Sequence, residues 1–304
     1  MLALAKAGKR IVAAGERGVI MFSDNDGGNW VQASVPTSVT LTAMHFLDAE
    51  RGWAVGHLGV VLHTTDGGGH WEMQLDGLRA AALARQAVGE AEDGSKAAAA
   101  AQALADDGPD KPFLDVHFEN EHTGYAVGAY NLAFRTTDAG NRWESWSHRL
   151  QNPGGSHLYA VRAVAGGLMI AGEQGLLLRS PDGVDFRPAT SPSKGSYFGM
   201  LPGRSGELLL YGLRGRAFQS DDSAATWAEV ETGTRSSLTA GQSLDDGRLL
   251  LASQAGELLV SRDFGKSFRV VHNAALPVSS VLQVSDARIV LATLRGIRNV
   301  VLSV

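Results

Sequence analysis

Apolar and polar positions along the chain arrange themselves in short runs, four to a block of about forty residues. The block that opens at Leu41 shows this most cleanly. Leu41-Thr-Ala-Met-His-Phe46 reads as a strand ended by an Asp48-Ala49-Glu50 turn, and Gly52-Trp-Ala-Val55 as the next. Gly56 to Gly59 makes a tight turn, Val60-Val-Leu-His-Thr64 returns, and Trp71-Glu-Met-Gln74 follows a polar turn as an outer strand. Four short β-rich runs bounded by Gly and Asp turns fit one blade of a propeller.

The tight turn recurs at Gly15–Gly18, Gly56–Gly59, Gly128–Asn131, Gly172–Gly175, Gly212–Gly215, Ser253–Gly256 and Thr293–Gly296. A spacing near forty residues, broken by one gap of 72, is the mark of a repeat architecture. The expected fold is all-β: a single seven-bladed β-propeller over residues 1–304 with four-stranded antiparallel blades.

The polar turn is a repeat of its own. Thr64-x-Asp66-x-Gly68-x-x-Trp71 returns around Asp138 with Trp143 and around Asp263 with Phe268. Looser copies centre on Asn25 with Trp30, Asp182 with Phe186 and Asp222 with Trp227. These match the Asp-box of the bacterial neuraminidase repeat. The carboxylate or amide can accept backbone N–H groups within its own turn, so Asn25, Asp66, Asp138, Asp182, Asp222 and Asp263 are expected to be structural. The aromatic is expected to pack between sheets.

Six aromatics mark six complete blades. The seventh repeat holds three strand-like runs, from Val278, Arg288 and Ile297, so the last blade is incomplete. Either that blade is three-stranded or the natural chain begins upstream, and the pattern favours the second.

The gap of 72 residues contains an insertion, 77–110, between blades two and three. Leu78–Val88 and Ser95–Leu104 are rich in Ala, Leu and Arg and predict two helical segments on the face of the tight turns. A lid or docking surface is one use for them, and a solvated excursion the other.

Composition narrows the function. A net charge of −5 with no basic stripe argues against nucleic acid, and zero cysteines exclude disulfides and thiolate chemistry. No apolar run is long enough to span a bilayer, and residues 1–6 show no signal peptide.

Gly52-Trp-Ala-Val-Gly56 followed by Val61-Leu-His-Thr-Thr-Asp-Gly-Gly68, and Thr123-Gly-Tyr-Ala-Val-Gly128 with Arg135-Thr-Thr-Asp138, resemble the repeat of the photosystem II stability/assembly factors and their bacterial relatives. That resemblance implies a propeller outside the cytoplasm, periplasmic in a bacterium. It implies a non-enzymatic assembly factor whose partner is a membrane protein or its extracytoplasmic loop or tail. A monomer without cofactor or metal is expected.

The rival class is a sialidase-like glycoside hydrolase or a carbohydrate-binding propeller, since such enzymes share the Asp-box. Arg162, Arg214 and Arg295 would then converge on a substrate carboxylate, with Glu173 behind Tyr159 or Tyr211. The Arg-Ile-Pro run expected ahead of the first box is absent. For a binding scaffold the polar residues at the tight turns are the candidates: Arg17, His57, Tyr130, Glu173, Arg214, Arg216, Arg295 and Arg298. His45, His117 and Gln242 share one offset from their turns and are expected to line the central channel.

Overall fold

The computed structural model describes residues 1–90, 98, 99, 102, 106 and 108–302. Six four-stranded antiparallel sheets and one of three strands follow in chain order. In blade two the strands are Leu41–Phe46, Gly52–Gly56, Val61–Thr64 and Glu72–Leu75, within a residue of the sequence pattern. The innermost strands of blades one to seven are Ala3–Ala7, Leu41–Phe46, Phe113–Phe118, Leu158–Val164, Tyr197–Pro202, Leu238–Ser243 and Val278–Gln283. Each packs on the next, and the seventh packs on the first, so the ring closes around a channel.

Apolar side chains from both faces of each sheet fill the spaces between blades. The aromatic anchors sit in these spaces: Trp71 between blades one and two, Trp143 between two and three, Phe186 between three and four. Trp227, Phe268 and Trp30 do the same between four and five, five and six, and seven and one. Each anchor stands on an outer segment and covers the joint with the preceding blade. Among the described residues the joint between six and seven lacks one, since blade seven shows three strands there.

The polar turns are held by a repeated set of bonds. The Thr64 hydroxyl donates to Asp66 Oδ1 (2.8 Å) and accepts the Gly68 N–H (3.0 Å), while Asp66 Oδ1 also accepts the His70 N–H (3.0 Å). Ser220 and Asp222 repeat this, as do Ser261 and Asp263. Asn25 substitutes an amide oxygen, accepting from Ser23 (2.9 Å) and from the Asn29 N–H (2.8 Å). In the short copy Asp182 accepts from Ser180 and from the Val184 N–H instead.

The last blade is three-stranded, and among the described residues blades seven and one share no strand. The Ser279 hydroxyl donates to the Met1 carbonyl (2.9 Å), the Leu4 N–H to Ser280 Oγ (3.2 Å), and the Asn299 amide to the Gly27 carbonyl (3.2 Å).

The insertion opens with helix α1, Gly77–Glu90. Asp76 caps it by accepting the Arg79 N–H (2.8 Å). Ala80 and Ala84 are buried beside Leu75 and Trp143, so α1 braces the outer edge of blade three, where the fourth strand is only Glu144–Ser145. The sequence has the helices lie on or rise from the turn face; α1 starts there, with Gly77 packed against Leu58 and Gly59, and its small apolar stripe then carries it over the outer edge of blade three. The second helical segment expected at 95–104 falls largely outside the described residues.

Candidate partner-binding face and channel mouth

The tight turns share one face. Five of them are single 3₁₀ turns with an αL residue at the third position: Arg17, Leu58, Tyr130, Gln174 and Arg214, each with φ between 54° and 60°. A side chain in αL is lifted clear of the sheet, at some conformational cost. The first glycine is there for a different reason. Gly56 has extended backbone, and a Cβ on it would sit 2.2 Å from the Thr40 carbonyl oxygen.

In three of these turns the αL residue also ties the turn to the following blade. The Tyr130 N–H donates to His157 Nδ1 (2.9 Å), the Gln174 N–H to Ser196 Oγ (3.3 Å), and the Arg214 N–H to Ser237 Oγ (3.3 Å). His157, Ser196 and Ser237 each stand just before an innermost strand, so these bonds join turn and channel rim.

Where the structure puts the candidate residues differs from one to the next. Arg17, Arg214, Arg295 and Arg298 are exposed and, among the described residues, make no side-chain hydrogen bond or ion pair. Arg216 is committed: its Nε and Nη2 grip Glu229 (2.7 and 3.1 Å), and its guanidinium lies over Phe218. His57 is exposed, and Glu173 accepts the His157 N–H (3.2 Å). Tyr130 leads an aromatic run that turns inward across blades three, four and five. Its ring meets His157 edge-on at 4.6 Å, His157 approaches Tyr159 at 6.1 Å, and Tyr159 meets Phe198 at 5.3 Å.

Tyr159 and Phe198 belong to a set that sequence reasoning undervalued. In six blades the innermost strand carries a register shift at its second residue: Thr42, Leu114, Tyr159, Phe198, Thr239 and Ser279. A bulge re-aims the side chain it leaves unpaired. Here all six line the mouth of the channel, with Leu2 completing the circle. The Thr42 hydroxyl donates to the Phe113 carbonyl of the next blade (2.7 Å), which binds neighbouring inner strands directly. A bulge has no composition signal; the regular offset of these residues from the turns was the only trace.

Below the mouth lies a cavity of about 300 Å³, lined among others by Asp115, Arg162, Tyr211 and Gln242. Arg162 Nη1 donates to Asp115 and to the Val161 carbonyl, and Asp115 also accepts the Val161 N–H (2.8 Å). Burial pushes the Asp115 carboxyl up, against the Arg162 charge and these N–H groups. Burial pushes the Tyr211 hydroxyl up to about 12.

His45 and His117 hold the same strand position as Arg162 and Gln242, and their rings meet edge-on with centroids 5.0 Å apart. Burial, with the charge of Arg162, lowers them to about 4 and about 3. Both ring nitrogens of His117 are buried without a hydrogen-bond partner. Gln242 does not join them: it stands on blade six, where its Oε1 accepts the Gln283 N–H (2.6 Å). No group of three His, Cys, Asp or Glu suited to a metal ion occurs among the described residues. The three arginines of the glycosidase reading are divided, Arg162 in the channel and Arg214 and Arg295 on the turns of blades five and seven.

The sequence model of the photosynthesis system II assembly factor YCF48 family matches residues 8–88 and 100–284. The chain belongs to that family. A solved structure described as YCF48 bound to D1 peptide is 16% identical, with a TM-score of 0.71 over 100% of this chain and 93% of that one. YCF48 from Cyanidioschyzon merolae is 13% identical, with a TM-score of 0.64 over 95% and 91%. The fold reaches beyond the YCF48 family: the WD40 propeller domain of Doa1, 10% identical, gives 0.68 over 98% and 91%. No curated protein sequence matches. No helix among the described residues is long and apolar enough to cross a membrane.

Proposed function

We propose that this protein is a non-enzymatic scaffold that binds a membrane-protein partner during assembly of its complex, using the turn face. Membership of the YCF48 family carries this reading, supported by the relative whose solved structure holds a D1 peptide. The face suits a peptide or loop: exposed arginines on the turns of blades five, seven and one offer bidentate donors to carboxylates. Across the ring, the exposed Tyr130 leads the aromatic run and gives a peptide an apolar ledge. The proposed setting is extracytoplasmic, as a monomer, with the turns rather than a cofactor doing the recognition. The box residues act as staples, and His57 and Glu173 as rim contacts.

The test replaces Arg17, Arg214, Arg295 and Arg298 together with alanine. Detergent-solubilised membranes of the source organism are passed over the native and the substituted protein. A membrane protein retained by the native chain and lost with the variant, at unchanged melting temperature, supports the reading. Equal retention by both proteins overturns it.

A further inference from the structure

The cavity under the channel mouth presents several uncommitted hydrogen-bond donors on neighbouring blades. Two of its acceptors are engaged, Asp115 Oδ2 by Arg162 and the Val161 N–H, and Gln242 Oε1 by the Gln283 N–H. Several of its donors are open. Among the described residues, Arg162 Nε and Nη2, the Tyr211 hydroxyl and the Gln242 amide nitrogen make no hydrogen bond to protein, and all three residues line the cavity.

The free edge of Arg162 is the informative one. Asp115 takes only Nη1, end-on, which leaves the parallel Nε/Nη2 pair open. That pair is the fork with which an arginine holds a carboxylate bidentately. The same protein uses it twice elsewhere, Arg10 on Asp24 (2.7 and 2.9 Å) and Arg216 on Glu229. The Arg162 side chain is 38% exposed, although it stands inside the ring, whereas Asp115 is 8% exposed. Tyr211 is set in place from the second strand of blade five through a gap left by Gly199, and it lies within electrostatic reach of Arg162.

We propose that this cavity binds a small free carboxylate, held by the Nε/Nη2 fork of Arg162 and by the Tyr211 hydroxyl and Gln242 amide. Arg162, Tyr211 and Gln242 stand on the consecutive blades four, five and six, so the donors come from one wall. A volume of about 300 Å³ is at the lower end for ligand pockets and suits on the order of ten heavy atoms. The edge-on rings of Tyr159 and Phe198 at the mouth favour an apolar body behind the charged head. The site is separate from the arginines of the turn face, and it would stand if the partner-binding reading fell.

The experiment titrates the full chain with sodium benzoate, and with benzamide at matched ionic strength, by calorimetry and by NMR of the arginine Nε–H signals. Saturable benzoate binding with a Kd of about 1 mM or tighter, a shifted Arg162 signal and no benzamide binding are expected. Gln242→Glu keeps the acceptor for the Gln283 N–H but replaces the donor with negative charge, and should weaken benzoate about ten-fold or more. Tyr211→Phe removes only the hydroxyl and should weaken it several-fold. No saturation, equal binding of benzamide, or native affinity in both variants overturns the proposal. The four-arginine turn variant should bind benzoate as the native chain does; a loss there would place the anion on the turn face and also overturn it.

Discussion

Gly199 makes room for Tyr211: a Cβ on this glycine would lie 2.1 Å from the tyrosine hydroxyl and 2.3 Å from the ring carbon that bears it. The tyrosine rises from the second strand of its blade, and the innermost strand must give way for it to reach the channel. Gly199→Ala should therefore cost about 1–3 kcal/mol by overpacking. In a Tyr211→Leu background the same substitution should cost much less, a coupling that a double-mutant cycle of urea unfolding measures.

Two positions in one turn should respond oppositely. Gly56 has extended backbone but no space, so Gly56→Ala should lose about 1–3 kcal/mol against the Thr40 carbonyl. Leu58 has space but sits at φ 54°, and Leu58→Gly should gain about 1 kcal/mol by relieving the αL strain. Thermal melts of the two single variants check the pair of signs.

Removing the hydroxyl from a box should expose what it holds. Thr64→Val keeps the shape but leaves the Gly68 N–H and one lone pair of Asp66 without their partner. A loss of about 1–3 kcal/mol is expected in chemical denaturation, since the threonine is buried.

The boxes should also set an acid limb of stability. Asp222 is lowered to about 2 by the Thr226 hydroxyl and N–H and the Ser220 hydroxyl. Asp66 and Asp263 reach about 2 although burial alone would raise them, because hydroxyl, backbone and, for Asp66, imidazole donors outweigh it. A carboxylate whose folded value lies below 3.8 adds stability above that pH and loses it as the pH falls toward 2. Asn25 shows that an amide fits a box. A triple Asp66, Asp222 and Asp263 to Asn variant should therefore melt with a shallower slope between pH 4 and 2.

The channel histidines act higher. Their ordinary value is 6.5 and their folded values are about 4 and about 3, so the fold prefers them neutral. Stability is complete above 6.5 and declines as the pH falls through 4 toward 3. His117→Leu removes two unpartnered buried nitrogens and should shrink that decline, with stability at pH 7 no lower than native. Melting temperatures between pH 7 and 3 decide it.

The blades were legible because each strand is short and each boundary is written in Gly, Asp or an aromatic, down to Leu41–Phe46. The channel mouth was not. Tyr159 and Phe198 face it because of bulges, which depend on how two strands align rather than on either sequence. Arg216 looked like Arg214 until the neighbouring strand supplied Glu229, thirteen residues on. The path of α1 depended on how short the fourth strand of blade three is, a length that its residues do not announce.

Every blade of this ring is one uninterrupted stretch of chain, and among the described residues Ser279, Ser280 and Asn299 make the side-chain bonds to backbone between blades seven and one. Among the described residues no strand is shared across that joint. Side chains hold that joint: Leu4 and Ile11 of blade one share a core with Leu282 and Val290 of blade seven, and Arg288 faces Asp26 at its outer edge. What keeps these two blades together within residues 1–302 is therefore side-chain packing rather than a shared sheet.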